Sequence, residues 1–348
     1  MKPYITIIWL NYNSRKIIKV VRESLSAIKG LDYPNCELIV IDNGSTDNSF
    51  KQVIEYLGRI KLKANILRSN RNLGFTGGNN LGYRYRNPYA KYVALINSDL
   101  IPNSNSLTEL VDHMESDEET GAMQGIILNY DMTKIDSSGD YLDEALRPYS
   151  KIEGCSTKER YITYADGSYC IIKVDAVRRI QGEYLFDEEL FAYFEDPLLG
   201  VKLWNYGYKV KSIPIIVGRH LRGPSSETQF KSYQTVKNRT ALHQVVYTKF
   251  GNLYFYRTLV LEFLYSLLSV RSLTTSSYVK ALKEGFMTGS MLRRKGIMLN
   301  LYKAPYVKFP VLKTLLTPRR KLRISVNDIK GGRVEARTPK ANIRQVSS

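Results

Sequence analysis

Short apolar runs, each closing on a polar cluster, recur along the first two thirds of the chain. Ile5 to Leu10 runs into Asn11-Tyr12-Asn13-Ser14, Glu37 to Ile41 into Asp42-Asn43-Gly44-Ser45-Thr46-Asp47, and Tyr92 to Ile96 into Asn97-Ser98-Asp99. Unbroken apolar runs with β-branched residues predict strands buried on both faces, as in a parallel sheet; a strand with one wet face would alternate. Between them the spacing predicts helices: Arg15 to about Ile28 with Ser14 as N-cap, one behind Ser45, Thr46 or Asp47, one starting near Gly77 after a short strand at Asn65 to Leu67, and Ser104 to Ser116. Gly121 to Leu128, Tyr169 to Val174 and Lys209 to Val217 read as later strands, with helices over Asp175 to Ile180 and from Pro197 to about Trp204. Residues 129–165 are polar and irregular, as expected of an insertion over the sheet edge. The alternation predicts an α/β chain with a mostly parallel open sheet and helices on both faces.

In such sheets ligands bind at the carboxyl ends of the strands, so the polar clusters there are the candidates for chemistry. Asp42 could accept hydrogen bonds from a base or ribose, or merely satisfy the amides of a strand-to-helix loop. Asp99 is placed to hold a divalent cation against phosphate oxygens, although Asn-Ser-Asp also makes an ordinary turn. The run Arg71-Asn72-Leu73-Gly74-Phe75-Thr76-Gly77-Gly78-Asn79-Asn80-Leu81-Gly82 would let backbone amides and a helix N-terminus approach a diphosphate. It matches neither the P-loop nor the dinucleotide fingerprint, and a plain surface loop is the alternative. Glu195-Asp196-Pro197, after an aromatic run, could cap the helix that follows or supply a general base at an apolar site. Of three histidines, His113, His220 and His243, only His220 directly follows a predicted strand; it could be structural or a metal ligand. Arg219 and Arg222 beside it could neutralise an anion or be solvated.

Taken together and in this order, the Asp42 to Asp47 cluster, the Asn72 to Asn80 segment and Asn97-Ser98-Asp99 resemble the family 2 glycosyltransferases of the GT-A fold, more narrowly their rhamnosyltransferase-like branch, over roughly residues 4–222. The resemblance implies an inverting transferase that moves a sugar from a nucleotide-diphosphate donor to a hydroxyl of a saccharide or lipid-linked acceptor, with Mg or Mn as cofactor. It implies Asp42 at the nucleotide base, Asp99 at the metal and diphosphate with His220 completing the metal site, and Asp196 as catalytic base. The implied donor-contacting set is Asn11, Asp42, Arg71, Gly74, Asn79, Asn97 and Ser98. Two positions depart from the family pattern: Asn97 stands where the commonest form has Asp, and Leu198 where another acid often follows the base.

Charge changes the picture for the last third. The chain of 348 residues carries a formal +18, and residues 231–348 hold 23 Lys and Arg against 4 Asp and Glu, leaving 28 against 29 for residues 1–230. The expected division is therefore a catalytic domain over 1–230, a helical basic extension over 231–326 and an unstructured tail over 327–348. The stretch from Leu253 to Val270, rich in Tyr, Phe and Leu, reads either as a helix lying in an anionic membrane surface or as the core stripe of a helical subdomain packed on the sheet. It falls short of the roughly 18 uninterrupted apolar residues of a spanning helix. Met-Lys-Pro-Tyr leads straight into a strand-like run, so no secretory leader is expected, and three scattered cysteines suggest neither a disulfide framework nor a metal site. A cytoplasmic place follows, peripheral on the inner face of the membrane if the extension touches lipid. Nucleic-acid binding is the competing reading of the basic third, disfavoured because the charge is segregated from the sheet and no known RNA or DNA motif appears. A degenerate nucleotide-sugar-binding protein is kept open by Leu198.

Overall fold

The computed structural model describes residues 2–150, 158–222, 228–267, 273–309 and 329–330. The opening is β1 Tyr4–Asn11, α1 Ile18–Lys29, β2 Cys36–Asp42, α2 Ser49–Ile60, β3 Asn65–Arg68, α3 Gly74–Arg84 and β4 Ala90–Asn97. There follow β5 Leu100–Pro102, α4 Ser106–Glu115, β6 Thr120–Asn129, β7 Ile135–Ser137, β8 Tyr141–Leu142, β9 Pro148–Tyr149, β10 Arg160–Tyr161 and β11 Tyr169–Lys173. Then come α5 Val174–Gln181, α6 Glu195–Asn205, β12 Lys209–His220, α7 Thr228–Val245, α8 Gly251–Leu267 and α9 Thr275–Arg294.

The main sheet runs β3-β2-β1-β4-β11-β6-β12-β10. β1 to β4 are mutually parallel, β11 is antiparallel to both β4 and β6, and β12 returns parallel to β6. The register places Asn11 beside Asp42 and Leu10 beside Asn97, so these strands finish at one edge.

Successive side chains on a strand point to opposite faces, and two cores result. Ile5, Ile7 and Trp9 of β1 join Tyr92, Ala94 and Ile96 of β4 on the face covered by α1, α2 and α4. Ile8 joins Val93 and Leu95 on the other, under α3, α5 and α6. Helices therefore cover both faces. α3 approaches its strands closely through Gly82, where a Cβ would lie 2.7 Å from Ile41 and 2.8 Å from Ile8.

Several expectations are revised locally. α1 begins at Ile18 behind a 3-10 turn, and Ser14 makes no side-chain cap; its hydroxyl donates to Asn11 Oδ1 instead. α3 begins at Gly74, not near Gly77. The insertion over 129–165 carries β7 to β10, and its Tyr141, Leu142, Leu146 and Tyr149 are buried. Ile329–Lys330, inside the expected unstructured tail, pairs antiparallel with Tyr306–Val307. The remainder of that tail, residues 310–326 of the expected basic extension and Leu268–Val270 lie outside the described residues.

The C-terminal helices share a core with the sheet layer. Leu198 and Val201 of α6 pack with Ala241, Leu242 and Val245 of α7, Leu292 of α9, and Leu299 and Leu301 beyond it. The face of α6 turned away from the sheet is thus closed by residues more than forty positions downstream.

Candidate active site

The ends of β1 and β2 are stitched into one polar knot. Asp42 is fully buried; its Oδ1 accepts from Asn11 Nδ2 at 3.1 Å, and its Oδ2 from the Ser45 amide and from Arg68 Nε, both at 3.2 Å. Asn11 Nδ2 also reaches Ser45 Oγ at 3.2 Å. Both Asp42 oxygens are therefore engaged within the protein. Arg68 lies over the Phe50 ring at 4.7 Å and keeps more than half of its side chain exposed at the rim.

The glycine-rich run closes on the protein itself. Asn43 bridges Asn72 and the Gly74 carbonyl at 3.0 Å each and accepts from the Leu73 amide. Gly74 has φ +74°, and a Cβ there would stand 2.3 Å from the Phe191 carbonyl oxygen. That oxygen accepts from the Thr76 amide at 3.1 Å, which places protein, not open space, at this part of the α3 N-terminus. Asn79 is buried and donates to Phe75 O within α3 at 2.8 Å, while Arg71 is exposed at the loop surface. Asn80, which carried no role in the sequence, fastens the loop after α5: it donates to Phe186 O and accepts from the amides of Leu185 and Phe186.

At the end of β4, Asn97 and Ser98 are half-buried and Asp99 is buried. Asp99 Oδ1 lies 2.9 Å from His220 Nε2, and the Leu221 amide donates to the Asp99 carbonyl. On its far side His220 Nδ1 stands 3.7 Å from Asp136 Oδ2. Burial works against a charged imidazole, but Asp136 and Asp99 outweigh it and raise His220 to about 9. A carboxylate and an imidazole form a donor pair that divalent cations accept. Asp99 and His220 are therefore the residues that would hold a divalent cation here, which would supply positive charge. A cation entering there would displace the His220 proton. Among the described residues no group of three His, Cys, Asp or Glu is arranged to hold a metal, so further ligands would have to come from elsewhere.

Asp196 reaches the same edge through β11. The Asn97 amide donates to Ser168 O at 2.9 Å, and one residue earlier the Gly167 amide donates to Asp196 Oδ2 at 3.2 Å. A small apolar cavity lined by Ala165, Cys170, Phe186 and Leu199 has Asp196 on its wall. Removal from water, followed by the negative charge of Asp166, raises Asp196 to about 7, against the pull of the Gly167 amide. Glu195 is the more buried of the two acids and is pushed well above the carboxylate range by burial and by Asp196. Burial thus raises both carboxyls, and of the two only Asp196 keeps a part-exposed side chain.

Arg222 joins the two halves. Its Nη2 donates to Asp166 Oδ2 at 2.5 Å and its Nε to Asp136 Oδ2 at 2.6 Å, so its charge is engaged by two carboxylates although the side chain keeps an exposed side. Burial opposes ionisation of Asp166, but Arg222 and His220 outweigh it and hold the carboxyl at about 2. A continuous polar chain thus runs Asp99, His220, Asp136, Arg222, Asp166 and, through the backbone, Asp196. Arg219 is directed elsewhere, over the Tyr130 ring and toward Glu23.

The loop before α6 is strained. Phe191, Tyr193 and Phe194 have φ of 66°, 68° and 71°, and Phe191 makes a γ-turn in which the Ala192 amide donates to Leu190 O at 2.8 Å. Asn238 of α7, fully buried, holds it by donating to the carbonyls of Leu190, Ala192 and Tyr193 at 2.9, 2.8 and 2.7 Å. Leu198, at the position where an acid was expected to recur, is a core residue facing α7.

The structure thus brings Asn11, Asp42, Asn97, Ser98, Asp99, Asp196 and His220 to one edge of the sheet, while Asn79 turns into its own helix. Sequence reasoning missed Asp136, Asp166 and Asn238. Asp136 lies in an irregular insertion with no spacing signal, and Asn238 sits mid-helix in a segment assigned to a different unit.

The model of the glycosyl transferase family 2 matches residues 6–180. An uncharacterized glycosyltransferase of Haemophilus influenzae is 30% identical over 121 residues, 35% of this chain and 36% of its own length. The poly-beta-1,6-N-acetyl-D-glucosamine synthase of Staphylococcus epidermidis is 22% identical over 201 residues, covering 56% of this chain and 45% of the relative. The chain thus spans less than half the length of these curated relatives. Among solved structures, S. aureus TarS 1-349 in complex with UDP-GlcNAc superposes with a TM-score of 0.54 at 16% identity, over 85% of this chain and 84% of that one. The mannosyltransferase PcManGT of Pyrobaculum calidifontis, in complex with GDP-Man and Mn2+, gives 0.51 at 16% identity over 84% and 76%. These likenesses show the GT-A fold.

Proposed function

Because this chain belongs to glycosyl transferase family 2, we propose that it transfers a sugar from a nucleotide-diphosphate donor to a hydroxyl of a saccharide or lipid-linked acceptor, by one in-line displacement that inverts the anomeric carbon. The observation that carries the reading is the joining of Asp196 to the Asp99 edge through Ser168 and Gly167. It supports a reading in which Asp196 serves as base beside the strand edge that carries Asp99, with no covalent intermediate required.

In this mechanism Asp196 takes the proton of the acceptor hydroxyl as the oxygen attacks. Its place against an apolar wall keeps its basicity near working pH, where a general base is most effective. The Arg222–Asp166 pair keeps a neighbouring negative charge fixed, which favours proton uptake by Asp196. Asn11 and Asp42, locked together and fully buried, would brace the strand ends above which the base of the nucleotide rests, with Arg71 at the rim and Asn97 and Ser98 on the path toward the diphosphate; Gly74 and Asn79 are engaged by Phe191 and by α3 itself and would act only through that packing. Asp99 and His220 would hold Mg or Mn, which when bound supplies positive charge to the departing diphosphate. A lipid-linked acceptor would place the enzyme on the inner face of a membrane, with the basic region 231–326 as the part that touches it.

A thermal-shift panel of nucleoside diphosphates with and without Mn, followed by donor hydrolysis, tests the reading. UDP-GlcNAc and GDP-Man are the first donors to try. A binding nucleotide raises Tm by mass action. If no nucleotide stabilises the protein and no donor is hydrolysed or transferred, the assignment fails.

A further inference from the structure

α7, α8 and α9 do two different things with their apolar residues. On α9 the inward stripe is Tyr278, Ala281, Gly285, Thr288, Gly289 and Leu292. There α9 meets α7 backbone to backbone: a Cβ on Gly285 would lie 2.4 Å from Lys237 O, and one on Gly289 3.0 Å from Ala241 O. The opposite side of the same helix is also apolar. Val279, Phe286, Met287 and Met291 recur at helical spacing and are 43–66% exposed. α8 repeats the pattern, with Tyr254 buried but Leu253, Tyr256, Val260, Phe263 and Leu264 exposed along one stripe. The two helices are in contact, through the Phe255–Phe286 ring pair at 5.7 Å and through Tyr278 Oη donating to Leu259 O.

Charge accompanies this exposed surface with a definite sign. Lys280, Lys283, Arg293 and Arg294 of α9 and Lys295 after it are all exposed, and Lys280, Lys283 and Arg294 have no carboxylate partner among the described residues. The one acid of α9, Glu284, is turned toward Tyr233 and Lys237 of α7. No described helix is long and apolar enough to cross a membrane. An aromatic and aliphatic face interspersed with cations, on helices that do not span, suits the headgroup region of an anionic bilayer.

We infer that the outer face of α8 and α9 docks this protein, in the plane of the membrane, on the surface of a bilayer bearing anionic lipid. The 17 residues of α8 would lie along the interface over about 25 Å, with Tyr256, Val260 and Met287 entering the acyl boundary and Lys280, Lys283 and Arg294 meeting lipid phosphates. The inner face of α9 stays packed on α7, and α8 on α7 and α9, so docking needs no unfolding. The inference rests on the membrane side of the proposed function and on none of the chemistry at Asp196.

The test is co-sedimentation of the full chain with vesicles of phosphatidylcholine alone or mixed with phosphatidylglycerol. Binding is expected only to the mixed vesicles and is expected to weaken with salt. Replacing Lys280, Lys283 and Arg294 by Gln should weaken it about five-fold per cation. Tyr256→Ser with Val260→Ser and Met287→Ser should abolish it although every cation, including those after residue 309, remains. Both variants should keep the wild-type Tm and rate of donor hydrolysis without vesicles, which separates failure of docking from failure of the transferase reading. Absence of binding to either vesicle overturns the inference. So does undiminished binding by the apolar variant, which would place the contact elsewhere. A dimer seen by sedimentation velocity, lost in the apolar variant and unaccompanied by vesicle binding, would assign the face to a second copy instead.

Discussion

Asn238 lies 42 positions after Asp196, yet it holds the loop that delivers Asp196. Its amide nitrogen donates to three carbonyls of a segment with three left-handed residues, the last of them two positions before the base. An NH2 group carries two hydrogens, so replacement by Ala removes about two net hydrogen bonds, about 1–3 kcal/mol. Part of that loss falls on the Asp196 geometry. If it all appeared in the transition state, kcat would fall roughly five- to hundred-fold with little change in nucleotide affinity. Asn238→Asp is the sharper variant. It retains size and replaces the donor by a carboxylate facing three carbonyl oxygens, a buried unpaired charge worth about 3–5 kcal/mol of destabilisation. The assays are thermal or urea unfolding and initial-rate kinetics on both variants. The Asp variant should melt well below the Ala variant, and the Ala variant should lose kcat while binding nucleoside diphosphate normally. Equal melting of the two, or an unchanged kcat in Asn238→Ala, would refute the argument that this amide is a donor clamp on the base loop.

Further outcomes follow from the same site. Asp196→Asn should cut transfer by roughly 10²–10⁴ while nucleoside diphosphate affinity, read by calorimetry, is retained; full activity would remove the proposed base. Asp196 must be ionised to accept a proton, so kcat/KM should rise with pH through about 7. Asp166→Asn removes the charge that raises Asp196, so this limb should move to lower pH; a limb that stays put would mean the titrating group is another one. His220→Ala should raise the Mn concentration needed for half-maximal donor hydrolysis, and an unchanged requirement would exclude it as a ligand. Gly74→Ala puts a left-handed φ on a residue with a Cβ, about 1–2 kcal/mol, and drives that carbon into the Phe191 carbonyl, so its Tm should fall clearly.

What the amino-acid order settled alone was the layered α/β plan and the two strand-terminal acids. Unbroken apolar runs demand burial on both faces, and parallel strands all finish at one edge, so the polar residues closing β1, β2 and β4 had to meet. Asn11, Asp42 and Asp99 were legible for that reason. The glycine-rich segment was legible as special but not in its use, because a glycine required for a ligand and one required for a neighbouring strand or the Phe191 carbonyl look the same in one dimension. Tertiary structure alone decided which acid of Glu195 and Asp196 keeps contact with open space, since that depends on which one faces the cavity wall and which is sealed inside. It alone assembled Asp136, Arg222 and Asp166, which stand 30 to 86 residues apart and meet only because β11 runs antiparallel between β4 and β6 and β12 returns beside β6. And it divided the basic third by face: the Tyr, Phe and Leu content of Leu253 to Val270 marked the α8 stretch as apolar and α9 carried no such mark, but a helix with apolar residues on two sides can be sorted into packed and open surface only by the neighbours that cover one of them.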